Sequence, residues 1–170
     1  MTYDDYIIDK QNSRFIGDFE GAYKNCDTVY KEQFDCSRFK FNIIRNWLQN
    51  KPNARVLDIG AGFGCFVNEL HRSGRDVLGL EISTSAVQKG KHMYGLNLPL
   101  AVGDVTTSIK CDNKFDIVIC YGVLGFLMDK IDMCLNNINR CLSENGKVAF
   151  SVGFSEKHKI SRDILKDETS

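Results

Sequence analysis

The stretch Val56-Leu57-Asp58-Ile59-Gly60-Ala61-Gly62-Phe63-Gly64-Cys65 constrains this chain more than any other. Arg55 to Ile59 is a short apolar run with one acid in it, the pattern of a buried parallel strand. Gly60, Gly62 and Gly64 follow at alternate positions. Glycine reaches φ > 0 and lets a ligand approach the backbone where a Cβ would stand in the way. A helix starting directly after such a turn offers free backbone N–H groups to something polar. Strand, glycine turn and helix start together predict the binding of a small cofactor.

The spacing narrows the choice. A dinucleotide fingerprint is G-x-G-x-x-G, and here Cys65 stands at its last glycine, with the third glycine one residue early. A phosphate-binding P-loop needs Gly-Lys-Ser/Thr, whereas Gly64 is followed by Cys65 and Phe66. The run D-x-G-x-G-x-G resembles motif I of the class I S-adenosylmethionine-dependent methyltransferases. The resemblance implies that Gly60, Ala61, Gly62 and Gly64 pass close to the methionine part of that cofactor. It also implies that Asp58 fixes the loop and receives the cofactor's amino group.

With 170 residues, 43% of them hydrophobic and 26% charged, the chain suits a single domain with a real core. Formal net charge is zero, which argues against nonspecific binding of nucleic acid. No apolar run approaches the length of a membrane span, and the start Met1-Thr2-Tyr3-Asp4-Asp5 has no signal core. A cytoplasmic protein is expected. The seven cysteines form no C-x-x-C pair, so reduced, mostly buried thiols are expected. The three histidines are scattered without ligand spacing, so no metal site is expected.

In chain order, residues 1–50 read as an aromatic-rich N-terminal helical lid or substrate segment, built of short helical pieces and turns. Its best helix is Ser37 to Asn50, with Phe41, Ile44 and Leu48 on one face, joined by Ile43 and Trp47. Residues 51–155 alternate strand and helix. Asp76 to Leu80, Leu98 to Val102, Phe115 to Cys120 and Lys147 to Val152 follow the first strand. The intervening helices are Cys65 to Ser73, one capped by Ser83 that carries Ala86, Val87 and Met93, and Asp129 to Leu142 with a stripe of Ile131, Leu135, Ile138 and Leu142. Thr106 to Asn113 reads as a turn or short helix, and residues 156–170 as a polar tail. This alternation predicts an α/β fold with a doubly wound, mostly parallel sheet. Ligands in such sheets sit at the carboxyl ends of the strands, and the informative residues fall there.

Glu81 ends the second strand, where a carboxylate can accept hydrogen bonds from both hydroxyls of a ribose. Asp104, after the third strand, resembles the family's motif II, where an acid bonds the adenine amino group. Ile82 and Val105 can sandwich the adenine ring. The fourth strand runs out at Ile119-Cys120-Tyr121-Gly122, which resembles motif IV, so Cys120 and Tyr121 are expected near the methionine part and the substrate. The chain has no Asn/Asp-Pro-Pro-Tyr/Phe signature of amino-directed nucleic-acid methyltransferases. Many relatives carry Glu-His a few residues further on; here the stretch is Leu124-Gly125-Phe126-Leu127. That potential general base is therefore missing, and Tyr121 and residues of the N-terminal lid are the remaining candidates. From the N-terminal segment, Arg38 is a candidate partner for the cofactor carboxylate, and Tyr23 and Tyr30 are candidate walls of the substrate pocket.

The resemblance covers about Asn53 to Val152 and implies a Rossmann-like methyltransferase fold. It implies transfer of a methyl group from S-adenosylmethionine to oxygen or nitrogen of a small molecule, with S-adenosylhomocysteine as product. The family's C-terminal antiparallel strand pair is expected to be lacking, which would leave an open edge and predicts a homodimer or reduced stability. Two rival readings stand beside this one. The first is a non-catalytic or truncated cofactor-binding module. The second is an NAD-dependent oxidoreductase, which Cys65 at the glycine position disfavours.

Overall fold

The computed structural model describes residues 6–9, 11–12, 14–26, 39–107, 109 and 114–151. Arg38 and Tyr30 lie outside them, as do Ser37 and everything after Ser151.

The elements in order are β1 (Ile8–Asp9), β2 (Arg14–Phe15), α1 (Phe19–Asn25), α2 (Phe39–Leu48), β3 (Val56–Ile59), α3 (Cys65–Arg72), β4 (Val77–Glu81), α4 (Thr84–Tyr94) and β5 (Leu100–Val102). Then follow β6 (Phe115–Tyr121), two 3-10 turns (Leu124–Phe126 and Met128–Lys130), α5 (Ile131–Cys141) and β7 (Leu142–Ser151). The main sheet has five strands in the order β5-β4-β3-β6-β7, and every neighbouring pair is parallel. The chain runs outward from β3 through β4 to β5, then crosses back to β6 on the other side. The direction of winding therefore reverses between β3 and β6, where such sheets open a crevice at their carboxyl ends.

Both faces of the sheet are covered, as its apolar strands require. On one face Val56, Val77, Ile117 and Ile119 pack against Ile44 and Leu48 of α2 and Phe66, Val67 and Leu70 of α3. On the other, Leu57, Ile59, Val118 and Cys120 pack against Cys134, Ile138 and Cys141 of α5. The alternation along β3 and β6 sends successive side chains to opposite faces, so these mostly apolar runs are buried on both.

The structure corrects several details of the sequence reading. The N-terminal segment opens with a small antiparallel hairpin, β1 with β2, rather than helical pieces alone. Two-residue strands have too few positions to show an alternation. On α5 the inward stripe is Cys134, Ile138 and Cys141, while Ile131 and Leu135 are 37% and 41% exposed. Cysteine acts there as a small hydrophobe, which rotates the buried face by one position. Met93 is likewise exposed, and Gly90 takes the buried place on α4. A Cβ on Gly90 would stand 2.3 Å from the Phe63 carbonyl oxygen, so a larger residue would push α4 off the glycine loop. β7 begins at Leu142, with a register irregularity before the regular ladder from Lys147 to Ser151. Cys26, Cys120 and Cys134 are buried and outside any disulfide. Cys65 and Cys141, however, each belong to a disulfide, against the expectation of reduced thiols; spacing along a chain does not reveal approach through space.

Candidate functional site

The carboxyl ends of β3, β4, β5 and β6 open into a cavity of about 580 Å³, a size typical of small-molecule sites. Asp58, Gly60, Ala61, Gly62, Glu81, Ile82, Asp104, Val105 and Tyr121 line it, together with Tyr23 from α1. Sequence reasoning had singled out these residues. Gly64 and Cys120 do not line it. Gly64 is the residue before α3, with φ +77°, and a Cβ there would press on Leu98 and Leu100. Cys120 is fully buried, in the cluster on the α5 face.

The glycine loop hangs from β4. The Gly60 and Ala61 amides both donate to the Leu80 carbonyl, at 2.8 and 3.2 Å. Gly60 has φ +71°, and a Cβ on it would lie 2.3 Å from Cγ2 of Val123 in the loop after β6. Positive φ and close approach both call for glycine here.

Glu81 ties the loop to the start of α4. Its Oε2 accepts the Gly62 amide at 2.9 Å, and its Oε1 accepts the Ser83 amide at 3.0 Å. It is 4% exposed. Burial raises its pKa, against the lowering effect of those amide bonds. Each carboxylate oxygen keeps acceptor capacity beyond one hydrogen bond. Asp58 differs. It is 6% exposed, and among the described residues no hydrogen bond reaches its carboxylate. Burial pushes its pKa up to about 7, Lys40 pulls it down, and Glu81 pushes it further up. An orphaned buried carboxylate facing a cavity is costly and fits a cationic group of a ligand.

Asp104 follows β5. Its Oδ1 accepts both the amide and the hydroxyl of Thr106, each at 2.8 Å. This fixes the acid at the cavity wall while shaping a turn. Ile82 is 51% exposed and Val105 is buried, and both line the cavity. The Tyr121 hydroxyl donates to the Lys40 carbonyl at 2.8 Å. Burial and the nearby Asp58 both raise its pKa. A phenol that holds its proton this way suits a wall, not a base.

Three contributions were not legible in the sequence. Lys40 lines the cavity and acts on Asp58, so a cation stands on the lid side two residues beyond the expected Arg38. Its Nζ also lies 5.2 Å from the Tyr121 ring centroid. Phe15, Phe19 and Phe126 line the cavity as well. Finally, Glu20 fastens α1 over the site. Its carboxylate accepts the Ser83 hydroxyl at 2.7 Å, the Ser85 hydroxyl at 2.6 Å and the Ser85 amide at 3.1 Å. These bonds hold its pKa below the usual carboxylate value, and a negative charge at the start of a helix is favourable. The α1 helix that carries Glu20 is capped by Asp18. One turn along the same helix, Tyr23 meets Phe63 edge to face, with centroids 5.3 Å apart. Among the described residues no group of three or more His, Cys, Asp or Glu is placed to hold a metal ion. No helix among them is long and apolar enough to cross a membrane.

Glycine loop, acids after consecutive strands and a sheet of this order are the marks of a Rossmann-like cofactor domain. The family model for the methyltransferase domain matches residues 57–150, and the chain belongs to that family. It is 36% identical over 83 residues to a demethylmenaquinone methyltransferase of Corynebacterium kroppenstedtii, covering 48% of this chain and 35% of that protein. It is 25% identical over 125 residues to a ubiquinone biosynthesis O-methyltransferase of Alkalilimnicola ehrlichii, covering 71% of this chain and 50% of that one. Among solved structures, a TehB-like SAM-dependent methyltransferase from Corynebacterium glutamicum superposes with a TM-score of 0.59 at 28% identity. That match covers 67% of this chain and 61% of the other. In its matches to these two curated relatives, the chain spans 35% and 50% of their length.

Proposed function

We propose that this chain moves a methyl group from S-adenosylmethionine to an oxygen or nitrogen atom of a small molecule. The observation that carries the reading is the orphaned Asp58 carboxylate in one cavity with Glu81 and Asp104, each acid at or near the carboxyl end of its own strand. S-adenosylmethionine presents chemistry that matches these groups: an amino group for Asp58, ribose hydroxyls for Glu81 and an adenine amino group for Asp104. Lys40 is the partner for its carboxylate, and Ile82 and Val105 hold the adenine faces. When bound, this cofactor supplies a methyl group made electrophilic by a sulfonium.

The chain's own residues bind, orient and shield. The glycine loop, with Tyr121 and Gly122 beside it, bounds the methionine end of the cofactor. Glu81 takes its ribose, Asp104, Ile82 and Val105 its adenine, and α1 closes the cavity against water. Holding two partners in line and close is itself a large source of acceleration. The names of the relatives, one acting on demethylmenaquinone and the other in ubiquinone biosynthesis, support a small-molecule acceptor.

The test uses methyl-labelled S-adenosylmethionine, the purified protein and fractionated small-molecule extract. Label should pass to a low-molecular-weight product. If the protein binds S-adenosylhomocysteine but labels no fraction, the non-catalytic cofactor-binding module is the correct reading instead.

A further inference from the structure

The two sides of the cavity differ in chemistry. Asp104, Glu81 and Asp58 stand after, at the end of and near the end of β5, β4 and β3, which are consecutive strands of the sheet. The wall also carries phenyl rings drawn from three separate pieces of chain, which meet at the turn after β6. Phe126 comes from the 3-10 turn after β6, Phe15 from β2 and Phe19 from α1. Phe15 and Phe126 are stacked at 23° with centroids 5.9 Å apart. Phe19 meets Phe126 edge-on at 80° and 5.3 Å, and Phe15 lies 6.4 Å from Phe19. All three are only half-buried, and all three line the cavity. Phe19 also packs against the buried cluster of Tyr23, Cys26, Phe63 and Ala86, and each of the three rings keeps accessible surface for a ligand to cover. The nearest charged residues on the wall, Asp129 and Lys130, are exposed.

We propose that Phe15, Phe19 and Phe126 form the acceptor subsite, and that it takes a planar aromatic ring bearing the group to be methylated. This rests on the methyl-transfer reading and adds the class of acceptor to it. Phenyl rings offer both a face and an edge, and aromatic partners gain from each beyond simple burial. A saturated ring of the same size gains only the burial. The subsite is also assembled by the lid. Phe15 and Phe19 reach Phe126 only while the N-terminal hairpin and α1 are docked, so acceptor binding and closure are one event.

The probe is 2-naphthol, followed by its own fluorescence, with decahydro-2-naphthol as the saturated comparator. Both are titrated into the full chain with and without S-adenosylhomocysteine, for the wild type, Phe126→Leu and Phe19→Leu. The wild type should bind 2-naphthol about 3- to 10-fold more tightly than the saturated alcohol. Each leucine variant should erase that preference while leaving S-adenosylhomocysteine affinity within about twofold. Cofactor titration and a melting curve show that each variant is folded. Equal binding of the two alcohols to the wild type overturns the proposal, as does an undiminished preference in both variants. Failure of the wild type to bind S-adenosylhomocysteine would instead overturn the methyl-transfer reading, and the two failures are read in separate titrations.

Discussion

The carboxylate of Glu81 accepts the backbone amide of Gly62 at 2.9 Å. Through this bond the end of β4 sets the shape of the loop that follows β3. The same carboxylate accepts the Ser83 amide at 3.0 Å. Glu81→Ala removes the acceptor for both amides in a buried place. It should cost about 1–3 kcal/mol of folding stability, measured by urea denaturation. A variant as stable as the wild type would show that the loop holds its shape without Glu81.

Asp58 predicts a pH dependence with a definite sign. Its folded pKa is raised from 3.8 to about 7, so between those values the folded state binds more protons than the unfolded state. The stability that Asp58 contributes in its protonated form is therefore full below about pH 4 and is lost as pH rises through about 7. Asp58→Asn should accordingly stabilise the protein at pH 8 and make little difference at pH 4. Binding of a cationic amino group should follow the opposite course in the wild type, tightening as pH rises through about 7. Denaturation curves and calorimetric titrations at several pH values test both statements.

Glu20 fastens the lid to the start of α4 through three hydrogen bonds. It is exposed, so its loss should cost only about 1 kcal/mol in overall stability. The effect on local opening should be plainer. In Glu20→Ala, amide hydrogens of Phe19–Asn25 should exchange faster while those of β3 and β6 are unchanged. Unchanged exchange in α1 would mean that Tyr23 and Phe63 hold the lid alone.

Gly60 and Val123 form a tight steric pair across the mouth of the sheet. A Cβ at residue 60 would stand 2.3 Å from Cγ2 of Val123, on a backbone with φ +71°. Gly60→Ala should cost about 1–3 kcal/mol. Adding Val123→Ala should return part of that cost, since it removes the clash but not the strain of the backbone. A double-mutant cycle on denaturation midpoints measures the coupling. Full additivity would contradict it.

The β3–loop–α3 unit was legible because strand period, glycine positions and helix face all agree there. The acids after β4 and β5 were legible for the same reason: the winding of the sheet sends the carboxyl ends of its strands to one edge. What the sequence hid depends on approach between distant segments. No local pattern shows that Glu20 meets Ser83 and Ser85, or that Phe15, Phe19 and Phe126 share a wall. Arg38 lies outside the described residues, and Lys40, on α2, lines the cavity. The buried face of α5 was misread because Cys134 and Cys141 carry less apolar weight in a pattern than Ile131 and Leu135, yet fit a tighter space.

Calorimetric titration with S-adenosylhomocysteine tests the central claim most directly, comparing the wild type with Glu81→Gln. Micromolar binding by the wild type, weakened about tenfold or more in the variant through loss of a charge-assisted hydrogen bond, is the predicted result. No binding by the folded wild type, or equal binding by both proteins, would contradict the assignment of this cavity to the cofactor.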